Sequence, residues 1–207
     1  MIKISPSILA ATNRIESIKK LNNTNADYIH IDVMDGKFVP NTQMPIEEIL
    51  ELEKHSNKPL DVHLMVSNPE IYIKKLSNKK IEYITIHIEI EKDIHYLINK
   101  IKSLGYKAGI SIKPNTSVNT LIPYLDEIDL VLIMSVEPGF GGQKFMPQSL
   151  YKANELKVLN SKVTIEIDGG VNDTNINEIK KYIDIAVVGS YITNNSDYNK
   201  AINNLKN

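Results

Sequence analysis

Short apolar runs rich in valine and isoleucine alternate along the chain with longer stretches whose apolar residues recur at helical spacing. The runs cover residues 2–9, 28–33, 60–65, 83–88, 107–112, 130–134, 163–167 and 185–188. Near-continuous apolar character over so few residues predicts strands buried on both faces. Between them, residues 94–104 place Ile94, Leu97, Ile98, Ile101 and Leu104 on one helical face, and Gly105 follows as a helix stop. Residues 172–182 and 197–205 read as helices too, with Ile176, Ile179 and Ile183 on one stripe of the first.

Eight strands, each followed by a helix-compatible stretch, imply a parallel sheet with right-handed crossovers. Eight such units in one domain predict an α/β fold, a (β/α)8 TIM barrel spanning residues 1–207. An open doubly wound sheet is the alternative. It calls for a glycine-rich fingerprint after the first strand, where Ser5-Pro6-Ser7 stands instead.

Composition narrows the function classes. The 207 residues hold 24 Lys+Arg against 25 Asp+Glu, a formal net charge of -1, so no basic field points to nucleic acid or to an anionic membrane. No apolar run is long enough to span a bilayer, and residues 1–14 lack the pattern of a signal peptide. A cytoplasmic location is the expectation. The absence of cysteine excludes disulfides, thiolate catalysis and cysteine-bound zinc. No proline- or glycine-rich linker divides the chain.

Barrel enzymes place their chemistry at the C-terminal ends of the strands. His30 and Asp32 lie two residues apart in one strand and so share a face. His63 ends the next strand, and Asp168 ends the seventh. Two imidazoles and two carboxylates suit Zn, Mn, Fe or Co. Satisfied polar core residues are the plainer reading of the same four. Asp32 and Asp168 could also flank a substrate carbon, one removing a proton from one face while the other returns a proton to the opposite face. That inverts a stereocentre next to a carbonyl. An ion pair inside the barrel is the alternative role.

Glycine groups follow the late strands: Gly139-Phe140-Gly141-Gly142, Gly169-Gly170 and Gly189-Ser190. Each can turn backbone N–H groups toward an anion, and barrels often bind phosphate after their last two strands. Simple turns are the alternative. Met34, Met65 and Met134 stand near the ends of three strands. They either fill gaps in the core or cap the site as a soft, polarisable surface.

At these residues the sequence resembles the ribulose-phosphate 3-epimerase family, nearly end to end. The resemblance is carried by Ser5-Pro6-Ser7-Ile8-Leu9, by His30-Ile31-Asp32-Val33-Met34-Asp35-Gly36 running into Phe38-Val39-Pro40-Asn41, and by Asp61-Val62-His63-Leu64-Met65-Val66. Met134-Ser135-Val136-Glu137-Pro138-Gly139-Phe140-Gly141-Gly142-Gln143 and Asp168-Gly169-Gly170-Val171 complete it. Residues 93–126 are less diagnostic.

The resemblance implies a phosphate-binding barrel that interconverts D-ribulose 5-phosphate and D-xylulose 5-phosphate. It implies one divalent cation per subunit on His30, Asp32, His63 and Asp168. Asp32 would accept the proton and Asp168 donate it, exchanging roles in reverse. Ser7 and His63 would touch substrate. Gly139, Phe140, Gly141, Gly142, Asp168, Gly169, Gly170, Gly189 and Ser190 would hold substrate and its phosphate, with Met34, Met65 and Met134 over the site. His87 matches a family position that is not a ligand. Relatives commonly form homo-oligomers.

Two departures stand out. After Asn41 the family usually continues Thr-x-Gly-Pro, whereas Thr42-Gln43-Met44-Pro45 lacks the glycine. After Ser190 the family usually has a small residue, and here Tyr191 stands. Both are expected in or near loops that close over substrate, where they bear on sugar preference. An allulose-6-phosphate 3-epimerase keeps the mechanism with a longer sugar. A metal hydrolase, a metal-free decarboxylase barrel and an inactive sugar-phosphate sensor are alternatives of other classes. The paired aspartates and the histidines at strand ends argue against them.

Overall fold

The computed structural model describes residues 1–76 and 80–207. Strands and helices follow in the order β1 (Lys3–Pro6), α1 (Arg14–Leu21), β2 (Ile29–Asp35), β3 (Thr42–Gln43), α2 (Ile46–His55), β4 (Leu60–Met65), α3 (Pro69–Lys75) and β5 (Ile81–His87). Then come α4 (Ile94–Ser103), β6 (Lys107–Ile112), a 3-10 helix (Val118–Tyr124), β7 (Leu130–Met134), α5 (Ser149–Leu159) and β8 (Thr164–Asp168). The chain ends with α6 (Ile176–Ile179), β9 (Ile185–Val188), α7 (Ser190–Thr193) and α8 (Tyr198–Lys206).

Eight parallel strands run in the order β1-β9-β8-β7-β6-β5-β4-β2. A parallel bridge between Ser7 and His30 joins the two ends of that row, so the sheet closes on itself as a (β/α)8 barrel. The two-residue β3 pairs antiparallel with the end of β2. Among the described residues no helix is long and apolar enough to cross a membrane.

Strand alternation sorts the side chains into two environments. Ile29, Ile31 and Val33 of β2, with Leu60, Val62 and Leu64 of β4, join the apolar layer under the helices. The intervening residues point into the barrel. There Tyr28, Tyr83, Leu130, Leu132, Met134 and Ile185 form a separate apolar plug. Above it the interior turns polar, with Ser5, His30, Asp61, His63, Thr85, His87, Ser111 and Glu166 all fully or almost fully buried. Local signals set the helix starts. Asp93 accepts from the Tyr96 N–H and Asp197 from the Lys200 N–H, which makes each aspartate an N-cap just before its helix.

The strand pattern holds within a few residues, and three elements differ from it. The first strand ends at Pro6 rather than at residue 9. After β6 the crossover is a 3-10 helix with Pro123 inside it, because proline removes a helical N–H and crowds the preceding turn. The helix expected over 172–182 shrinks to Ile176–Ile179. Asn172 Oδ1 instead accepts from the Thr174 N–H (2.8 Å), and Asn175 Oδ1 from the Asn172 N–H (2.9 Å). These side chains satisfy the backbone in turns and so compete with a helix.

Candidate active site and metal centre

The register of β2 against β4 places Asp32 directly opposite His63 and Met34 opposite Met65. That of β7 against β8 places Met134 beside Asp168. Asp32 Oδ1 stands 3.3 Å from His30 Nε2 and 3.5 Å from His63 Nδ1, and Asp168 Oδ2 stands 3.9 Å from His63 Nδ1. One atom from each of the four residues lies within 4.8 Å of every other. Donors held about 2.1 Å from one cation are themselves separated by about 3–4 Å. His30 Nε2 and His63 Nδ1 are buried and make no hydrogen bond within the described residues. Two orphaned imidazole nitrogens converging on two carboxylates fit a divalent cation, and the N2O2 set suits Zn, Mn, Fe or Co.

Buried partners orient both histidines. His30 Nδ1 lies 2.6 Å from Asp61 Oδ2, which also accepts from Ser5 Oγ at 3.0 Å. His30, Asp61 and Glu166 form a second cluster. The 2.6 Å contact between His30 and Asp61 spans a shared proton and leaves no space for a cation between them. His63 Nε2 lies 2.9 Å from His87 Nε2, and His87 Nδ1 lies 3.0 Å from Glu89 Oε2. Ser7 Oγ donates to Asp32 Oδ2 at 2.7 Å. Ser135 Oγ donates to the carbonyls of Asp168 (2.8 Å) and Gly169 (2.7 Å), fixing the end of β8.

The two aspartates are electrostatically unlike. Burial opposes a charge on Asp32, but the pull of His30 and His63 outweighs it and holds the carboxyl well below the usual range. Burial, reinforced by the charge of Asp32, pushes Asp168 up to about 7. His30 is raised, because Asp61 and Asp32 outweigh its burial, whereas His63 is lowered, its burial prevailing. Burial and the charge of Asp61 raise Glu166 well above the carboxylate range. One ionised and one protonatable carboxyl therefore face the same space, the pairing that acid–base transfer in both directions requires.

That space is a cavity of about 700 Å³ at the C-terminal mouth of the barrel. Ser7, Asp32 and Asp168 supply its polar floor, and Met34, Met65 and Met134 contribute apolar wall. Gly139, Phe140, Gly141, Gly142, Gly169, Gly170, Gly189 and Ser190 all border it. His30 and His63 are fully buried and are not part of its wall. Gly170 has φ +66°, and a Cβ there would fall 2.3 Å from the Phe145 backbone nitrogen, so this loop requires glycine.

Some cavity residues carried no signal in the sequence. Asn172, Asn175 and Asn194 line the cavity, but the first two sit in the stretch that reads as a helix and the third between the last strand and the last helix. Asp61 is different, since its position two residues before His63 on one strand was a usable sign of a shared face. The two departures separate. Tyr191 lines the cavity as expected. Met44 does not: it is fully buried in the apolar layer, with φ 54°. The missing glycine is thus a backbone matter, since φ in this region is the one glycine adopts without penalty.

A model of the ribulose-phosphate 3 epimerase family matches residues 3–193. The chain belongs to this family. A protein from Helicobacter pylori named ribulose-phosphate 3-epimerase is 41% identical, the match covering 100% of this chain and 97% of the relative. One from Bacillus subtilis with the same name is 39% identical, over 100% and 99%. Like other members of the ribulose-phosphate 3-epimerase family, the chain is an isomerase. Its fold is shared more widely. The structure of KGPDC from Streptococcus mutans superposes with a TM-score of 0.75 at 11% identity, covering 100% of this chain and 96% of that one. The structure of 3-hexulose-6-phosphate synthase from Salmonella typhimurium gives 0.69 at 15%, covering 99% and 96%.

Proposed function

We propose that the chain, acting as one barrel domain over residues 1–207, interconverts D-ribulose 5-phosphate and D-xylulose 5-phosphate by moving the proton at C3. The observation that carries this reading is the pair Asp32 and Asp168, which share one cavity floor with opposite displacements of their pKa. Asp32, ionised, accepts the C3 proton of ribulose 5-phosphate. Asp168, protonated, delivers a proton to the other face of the carbon, and the roles exchange in reverse. Ser7 holds the Asp32 carboxylate through its 2.7 Å hydrogen bond.

His30, Asp32, His63 and Asp168 would hold one divalent cation, which would supply positive charge as a Lewis acid beside the reacting carbon. Met34, Met65 and Met134 present polarisable, water-excluding surface to the reacting carbon. The glycine loops after β7, β8 and β9 hold the phosphate through backbone N–H groups. His63, below the floor, reaches substrate only through the groups above it. We assign the enzyme to the cytoplasm as a homo-oligomer. The exposed apolar Tyr151 and Val158 on α5 are surface of the kind that self-association covers.

The test is proton NMR of D-ribulose 5-phosphate in D2O with cation-loaded protein. D-xylulose 5-phosphate carrying deuterium at C3 is the expected product. Chelation is expected to abolish its formation, and Zn, Mn, Fe or Co to restore it. Product without deuterium, or full activity after verified metal removal, overturns the reading.

A further inference from the structure

His87 and Glu89 lie outside both the four-residue donor set and the cavity wall, yet both are tied to His63. Glu89 Oε1 accepts from the Lys113 N–H (2.7 Å) and from Thr116 Oγ1 (2.5 Å). Its other oxygen faces His87 Nδ1 at 3.0 Å. An ionised carboxylate can only accept. The proton of His87 therefore sits on Nδ1, which leaves the lone pair on Nε2. That atom lies 2.9 Å from His63 Nε2, so His63 is the donor in this contact. With its proton on Nε2, His63 has its lone pair on Nδ1, the nitrogen that faces Asp32 Oδ1 and Asp168 Oδ2.

We infer that Glu89 and His87 are positioning residues, a directional hydrogen-bond chain from Glu89 through His87 that fixes the tautomer of His63 and presents its Nδ1 lone pair to the cation. The inference rests on reading the four-residue cluster as a cation site. Asp61 does the same for His30 in one step: its carboxylate accepts from the Nδ1–H and so keeps the proton on that nitrogen, with Nε2 facing Asp32. The ring of Phe38 packs on His87 with centroids 4.6 Å apart, so the chain is covered as well as directed.

Glu89→Gln separates this role from space filling. The side chain keeps its size, but its amide has one accepting oxygen and one NH2 group. The Lys113 N–H and Thr116 hydroxyl claim the oxygen, which turns the NH2 toward His87. The chain then reverses: His87 Nδ1 accepts, His87 Nε2 donates, and His63 carries its proton on Nδ1, against the cation.

The experiment is zinc affinity by competition with a chelator, together with 15N NMR of the histidine rings in metal-free protein. The expected result is His63 protonated on Nε2 in the wild type and on Nδ1 in Glu89→Gln, with zinc affinity of the variant lower by about 10- to 100-fold. Equal zinc affinity in the two proteins, or a wild-type His63 protonated on Nδ1, overturns the inference. Should Glu89→Gln fail to fold, the wild-type spectrum decides by the same criterion. Wild-type protein that shows the inferred tautomers but binds no zinc overturns the cation site, and with it the purpose of the chain.

Discussion

Asp32 and Asp168 come from strands three steps apart around the barrel, yet they bring carboxylate oxygens within 4.8 Å of each other in a buried space. Two like charges so placed oppose one another. Asp32 keeps its charge with help from His30 and His63, while Asp168 is pushed up to about 7.

The conflict has a stability cost of definite sign. In metal-free protein the folded-state pKa of Asp168 lies above the ordinary carboxylate value of 3.8. Between pH 4 and pH 7 the folded protein holds a proton that the unfolded chain has released, so this group makes stability fall as pH rises. Asp168→Asn removes the effect. Denaturant unfolding in chelator is expected to show the variant gaining on wild type between pH 5 and pH 8 by about 1–4 kcal/mol. A gain that is constant with pH contradicts the assignment.

The backbone at Met44 sets two effects against each other. A non-glycine residue in the left-handed region costs roughly 1–2 kcal/mol. Removing a fully buried methionine side chain costs roughly 2–5 kcal/mol. Burial wins, so Met44→Gly is expected to destabilise the fold by about 1–3 kcal/mol, although it restores the residue the family usually carries. Thermal or denaturant unfolding measures this. A variant more stable than wild type would mean that strain at φ 54° outweighs packing.

Much of the fold was legible because each barrel strand obeys one simple alternation. His30, Asp32 and Met34 fall on one face and Ile29, Ile31 and Val33 on the other, so spacing marked which side chains of this strand face the barrel interior, while the choice between core residues and a metal site came from the family resemblance. The contribution of Glu166 was not legible. Its nearness to Asp61 and His30 depends on the closure of β8 across from β2 and β4, a relation between residues far apart in sequence. The role of Met44 was hidden for another reason. A residue that departs from a motif looks like a change of contact, and only the backbone angle shows it to be a change of strain.

The phosphate assignment can be tested at a glycine that the fold does not need. A Cβ added at Gly141 meets only Leu9 Cδ2, at 3.9 Å, an ordinary contact. Gly141→Val is therefore expected to fold with an unchanged unfolding temperature while crowding the loop after β7. Steady-state kinetics are expected to show KM for the phosphorylated sugar raised about tenfold, equivalent to about 1.4 kcal/mol of binding. An unchanged KM would move the phosphate to the loops after β8 and β9.

The two-carboxylate transfer is tested most directly by following C3 deuterium incorporation with Asp32→Asn and Asp168→Asn, each supplied separately with both epimers in D2O. Neither variant is expected to interconvert them. Asp168→Asn retains the base for ribulose 5-phosphate and is expected to exchange the C3 proton of that sugar alone. Asp32→Asn retains the opposite carboxyl and is expected to exchange that of xylulose 5-phosphate alone. Epimerisation at the wild-type rate by either variant, or exchange of both sugars by one of them, would contradict the assignment of one aspartate to each face.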